Sequence, residues 1–440
     1  MNLRLTVGAI SIVTALALTG CGSSSSSTPE TKSITVEKKT EVLTSYADIA
    51  IANYTDSLND AKAMAVAVKA FTDAPTDATL EAAKASWLKA RESYGQTEIF
   101  RLSNGPIDAE EGFATGWDAP EGQLNAWPLD ENMIDYTIDD KGEKTSGNII
   151  DTVGKFTPTG EDSTEVDATT ITKEVIAQLN ENGGDANVAT GYHAIEFLLW
   201  GQDQDYQTGD DQITEGPMRA GERPLTDYTT DANAQRRKDY LNSAAELIVE
   251  DLEKMVDAWG TDADDYRMAF LGQGANKIDQ EVALKQIMSG MGIFIKSELA
   301  NERVAVAVLT PSEEDEHSCF SDNTHRDIIL NYRGFVNVLK GTYNGKSYGT
   351  SMMSLLSKAE QESINKLIKI IDTKLKKMDD QAKSVEHFDY QIKADSANNA
   401  NIVSFKNDMR DLGDEMIKIA NEYGISLTAS DVTDGEETKI

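Results

Sequence analysis

The sequence predicts an all-α protein made of two four-helix-bundle-like halves with a long irregular insertion in the first. Three observations carry that expectation. Apolar residues recur at helical spacing, as in Val42, Leu43, Tyr46, Ile49 and Ala50, and that period is the mark of one buried helix face. No stretch has the strict alternation of a half-buried strand. The helical stretches also have lengths that suit antiparallel bundles. A chain of 440 residues with a 40% apolar fraction can fill two domains or one large one.

The N-terminal segment MNLRLTVGAISIVTALALTGC, residues 1–21, reads as a targeting signal. Arg4 precedes an apolar run that small residues and Cys21 close. The run is nearer the roughly 7–15 residues of a signal core than the ~20 of a membrane span. This pattern looks like a bacterial lipoprotein signal cleaved before Cys21, whose thiol would carry lipid; an ordinary signal peptide with a chance Cys is the alternative. Residues 22–35, with Ser23–Ser27 and Pro29, read as a flexible tether. Gly22 rather than Asp after the Cys resembles outer-membrane sorting, so the expected location is the cell envelope, lipid-anchored, facing the periplasm. Cys319 is then the one remaining cysteine, and no internal disulfide is expected.

The first half spans residues 36–230. Helical spacing runs from Ile34 to a break at Pro75-Thr76-Asp77, and a second helix is expected over 79–102, ended by Ser103-Asn104-Gly105-Pro106. Residues 104–170 are rich in Gly, Asp, Thr and Pro around Trp117 and Trp127 and form the insertion; long irregular segments often carry function. Helices over 171–184 and 186–200 follow. The loop GQDQDYQTGDDQITEGP lacks the glycine and closing glutamate of a calcium loop in register, so it reads as solvated and acidic. The second half, 231–430, has helical spacing in a stretch beginning near Asn233 and over 262–271, 277–306, 322–340, 351–377 and 396–424; residues 431–440 are a polar tail. NYRGFVNVLKG at 331–341 aligns without gaps on GYHAIEFLLWG at 191–201, sharing Tyr, Leu and Gly. If that is a repeat, the halves arose by duplication, and Arg333 and Val336 replace His193 and Glu196 in the second.

GYHAIEFLLWG also holds the most telling chemistry. One of only four histidines sits three residues before a glutamate in an apolar helix. Positions i and i+3 share a helix face, so His193 and Glu196 form one stripe. A buried carboxylate needs partners. A neutral imidazole and a carboxylate on one face can bind one cation, with further ligands from Glu98, Glu92, Asp108 or Asp130. The purely structural alternative is that the two bond each other and a nearby backbone. Glu316, His317, Cys319, Asp322 and His325 also resemble ligands, although an N-cap at Ser321 or Asp322 accounts for much of that segment. No His-Glu-x-x-His, Gly-x-Ser-x-Gly, Walker or dinucleotide-binding pattern is present. With 41 basic against 75 acidic residues and a formal charge of −34, nucleic acid is a poor partner and cations are favoured ones.

GYHAIEFLLWG, together with RESYGQTEIFRLSNGPID, AWPLD, SELANERVAVAV and EDEHSCFSDNTHRDI in order, resembles the imelysin family, and its iron-regulated branch in particular, over about residues 40–425. The resemblance implies two bundle-like halves with a cleft between them, export and a tie to iron uptake. It implies that the Gly-x-His-x-x-Glu motif is Gly191, His193 and Glu196, and that Glu98 is the matching glutamate of the first half. The motif has been proposed as a metal site. The expected cofactor is a metal ion, iron rather than zinc. The expected function is binding iron or an iron-bearing ligand alongside iron-uptake components; the alternative is a zinc-dependent metallopeptidase.

Overall fold

The Thr35 hydroxyl accepts from the Lys38 amide at 3.4 Å and opens α1, a 38-residue helix over Val36–Asp73. A capping box at Thr76 opens α2, Asp77–Tyr94; both caps satisfy amides that the first helical turn leaves unbonded. The computed structural model describes residues 34–433 except 140, 204–205, 208–211, 214–217, 263 and 312–314. Cys21, the signal, nearly all of the tether, much of the acidic loop and most of the tail therefore lie outside the described residues. Among the described residues no helix is long and apolar enough to cross a membrane.

The expected helix over 79–102 stops at Gly95. A Cβ there would lie 2.9 Å from that of Leu330, and the Gly95 carbonyl accepts from Asn331 at 2.9 Å. Close packing against a later helix ends α2, and Thr97–Phe100 follow as a 3-10 turn. The insertion is irregular, as expected, but short elements order it, including a 3-10 turn at Phe113–Trp117 and helical turns at Glu121–Leu124 and Glu131–Ile134. The next helices are α3 (Lys173–Leu179), α4 (Gly191–Trp200) and α5 (Ala234–Ala258). Helix α1 packs on α2 and α5, and α4 packs on the same two, which closes a four-helix set. Helix α5, expected in the second half, packs within this first set.

The stretch expected as one helix over 277–306 is α6 (Gln280–Ile293) running without a break into a π-helix over Phe294–Val306. Then come α7 (Thr324–Lys340), α8 (Lys358–Ala382), α9 (Phe388–Ile392) and α10 (Asn399–Glu422). The α6–π rod, α10, α8 and α7 contact one another in a second closed set, and α7 also lies on α2. The β structure among the described residues comprises short antiparallel pairs, such as Thr342–Tyr343 with Lys346–Ser347. The class is all-α.

Candidate functional site

Helix α4 begins at Gly191, five residues later than its apolar run predicts. Upstream, backbone groups are engaged elsewhere. The Val188 carbonyl accepts from Asp130 at 2.9 Å, the Ala189 amide donates to Asn180 at 2.9 Å, and the Ala189 carbonyl accepts from the Tyr240 hydroxyl at 2.6 Å. Gly191 has φ +82°, and a Cβ there would stand 2.5 Å from the Leu124 carbonyl oxygen. Only glycine meets both demands.

This start angle places His193 and Glu196 in the interior, both at 0% exposure. They contact each other: His193 Nδ1 lies 2.9 Å from Glu196 Oε2. The other carboxyl oxygen accepts from the Ser321 amide at 3.0 Å and the Ser321 hydroxyl at 2.6 Å. Both Glu196 oxygens are thereby engaged. His193 Nε2 is buried with no hydrogen-bond partner. Burial pushes the His193 imidazole well below its ordinary range, so it is neutral. Burial also pushes the Glu196 carboxyl up to about 8, against the opposing Ser321 bonds.

Two rings lie against His193: Trp127 at 4.9 Å and His317 at 4.6 Å between centroids. His317 repeats the arrangement of His193. Its Nδ1 lies 2.9 Å from Asp327 Oδ2 and its Nε2 lies 3.4 Å from the Asn125 amide nitrogen. Asp327 in turn accepts from Ser318 at 2.6 Å and from Arg91 at 2.7 and 3.2 Å. Burial opposes its charge, but Arg91 and His317 hold the Asp327 carboxyl well below the usual range. Burial, with Arg303 and His193 nearby, pushes His317 down to about 3. Each imidazole thus has Nδ1 anchored by a buried carboxyl, which fixes ring orientation as metal-ligating histidines require.

Trp127 and His317 line a cleft of about 410 Å³ together with Arg101, Glu121, Asn125 and Arg303. Glu98 sits beside it, bonded to Arg303 at 2.8 Å and Arg101 at 3.1 Å. The π-helix supplies Glu298 and Arg303, 2.9 Å apart; an i→i+5 ladder stacks residues at that spacing. Burial raises the carboxyl of Glu98, but Arg303 and Arg101 outweigh it and bring it to about 2. Glu121 is pushed up to about 7 by burial, with Arg101 opposing.

The other expected ligands lie in separate bonds. Glu92 pairs with Arg326 at 2.8 Å, Asp108 accepts from the Leu102 amide at 2.6 Å, and Asp130 caps Met133 at 3.0 Å. Cys319 is buried and forms no disulfide. The expected N-cap at Ser321 or Asp322 is corrected: α7 is capped at Asn323, and Ser321 grips Glu196 instead. Sequence reasoning counted His317 among ligand-like residues without joining it to His193, read Ser321 only as a possible N-cap, and missed Asp327 and Arg91. The signal for Arg91 and Asp327 was a charged residue on the apolar side of a helix, in ARESY and HRDIIL.

The imelysin family model matches residues 50–416. Iron-regulated protein A from Synechococcus elongatus is 24% identical over 319 residues, covering 71% of this chain and 67% of that protein. Two crystal structures share the fold. One is of an iron-regulated protein A precursor from Parabacteroides distasonis, with TM-score 0.57, 17% identity and coverage of 89% of this chain and 96% of that one. The other is of an imelysin-like protein from Psychrobacter arcticum, with TM-score 0.54, 13% identity and coverage of 90% and 98%. With the family model spanning most of its length, the chain belongs to the imelysin family.

Proposed function

We propose that this protein is a lipid-anchored envelope component that binds iron, or an iron-bearing ligand, beside His193 and His317 and assists iron uptake. One observation carries the reading: His193 Nε2 is buried without a hydrogen-bond partner while Nδ1 is held by Glu196. Leaving such an atom unsatisfied costs about 1–3 kcal/mol, and a bound ligand would offset that. The residues fit a metal. His193 and His317 are neutral imidazoles with carboxyl-anchored Nδ1 atoms, and Glu121 lines the adjoining cleft. Imidazole and carboxylate donors suit iron and zinc. Glu196 then orients His193 rather than sharing the cation, and Glu98 balances Arg303 and Arg101. The name of the Synechococcus relative, iron-regulated protein A, favours iron.

Glu121 supports a second reading. A carboxyl near 7 in a cleft is matched to general-base work, as a zinc-dependent peptidase needs. One experiment separates the two. The chain from residue 22 onward is assayed for bound metal and for ferric, ferrous and zinc binding, beside His193→Gln. The same samples receive an unfolded protein with and without chelator. Iron binding weakened at least tenfold in His193→Gln, without cleavage, is the expected result. Chelator-sensitive cleavage lost in Glu121→Gln establishes the peptidase instead, and unchanged metal binding in folded His193→Gln rejects the site.

A further inference from the structure

We propose a second cation site, separate from His193, in which Asp322, His387 and Asp389 bind a divalent transition-metal ion. One ligand atom from each lies within 4.8 Å of the others. The three come from two distant pieces of chain: Asp322 from the segment that leads into α7, and His387 and Asp389 from the start of α9. His387 Nδ1 and Asp322 Oδ2 are already in contact. Both aspartates are buried, at 5% and 2% exposure, whereas His387 is only partly so. That leaves an approach from solvent on the imidazole side.

A further carboxyl lies near the triad. Glu316 is 1% exposed, and its Oε2 accepts from the Thr324 hydroxyl at 3.2 Å. Asp389, Asp322 and Asp203 all lie close enough to act on it electrostatically. Four acidic side chains thus act on one another inside the protein, with an imidazole among them. Like charges at such spacing repel strongly when water is excluded. A divalent cation converts that repulsion into coordination, because it is itself the largest local charge.

The donor set decides the class. Carboxylates with an imidazole suit Mn²⁺, Fe²⁺ or Zn²⁺, whereas Ca²⁺ and Mg²⁺ are held by oxygen ligands. The location gives the site a role. Asp322 follows Ser321, which grips Glu196, and the same segment carries His317 and Ser318. A cation there would pin α9 to the loop that orients both imidazoles.

The test uses the chain from residue 22 onward, with Mn²⁺, Zn²⁺ and Ca²⁺ as separate probes. Binding is read by calorimetry, metal content and the rise in Tm. His193→Gln keeps the two sites distinguishable. The expected result is Mn²⁺ or Zn²⁺ binding that survives His193→Gln and weakens at least tenfold in Asp389→Asn and His387→Gln, with loss of the Tm rise. His387, being partly exposed, gives a variant that folds if Asp389→Asn does not. Wild-type stoichiometry and affinity in folded His387→Gln overturns the proposal. So does a chain in which no Mn²⁺ or Zn²⁺ binding survives His193→Gln, or one that takes Ca²⁺ in preference.

Discussion

Buried side chains with one engaged and one unengaged polar atom set the chemistry of this protein at the residue scale. In His193 the unengaged atom is a ring nitrogen; in Asp251 it is a carboxyl oxygen. Asp251, on α5, is 0% exposed; Oδ1 meets Lys254 at 3.0 Å and Oδ2 has no hydrogen-bond partner. Burial pushes this carboxyl from 3.8 up to about 6, although Lys254 opposes. Between those values the folded protein holds a proton that the unfolded chain has released, so this group's contribution to stability falls as pH rises through the window. An amide in its place does not titrate. Asp251→Asn is therefore expected to exceed the wild type at pH 7 by an amount on the order of 3 kcal/mol, and to show no gain near pH 3.5. Urea midpoints at both pH values check this; parallel curves would reject the shift.

At the element scale, local breaks in helix regularity build the site. The left-handed φ of Gly191 sets the start of α4 and so the direction of His193. Gly191→Ala adds backbone strain of about 1–2 kcal/mol, plus an overpacking cost of about 1–3 kcal/mol against the Leu124 carbonyl. We expect a loss of roughly 2–5 kcal/mol in urea unfolding, together with weakened metal binding by whatever protein remains folded. A near-wild-type midpoint would mean that α4 can start elsewhere. The π-helix is a second break. Its i→i+5 ladder aligns Glu298 with Arg303 in the wall of the cleft. Apolar periodicity in SELANERVAVAV made it legible as helix, not as π-helix, because both present a continuous buried stripe.

At the scale of the molecule, a buried ion pair joins the two helix sets. Arg91 on α2 and Asp327 on α7 are each about 1% exposed along the side chain, and Asp327 also anchors His317. Removing one partner leaves an uncompensated buried charge. Asp327→Asn is expected to cost about 3–5 kcal/mol and to free His317 to turn. Replacing both, as Arg91→Met with Asp327→Leu, should recover much of the stability but not the metal affinity. Equal unfolding midpoints for wild type and Asp327→Asn would show that the pair is not a joint between the sets.

The sequence by itself determined the class, most helix positions and the Gly191–His193–Glu196 motif, because apolar periodicity and a lone His–Glu pair on one face are local properties. It also carried the family resemblance, through motifs in fixed order. Only the tertiary structure decided that His193 meets His317, that Ser321 donates to Glu196, and that Glu98 lies between two arginines. It likewise brought Asp322 to His387 and Asp389. Those pairings join residues from distant parts of the chain, and they depend on how α2, α4, α7 and the π-helix stack. A stripe on a helix says which face is buried; which side chains meet there depends on the faces packed against it.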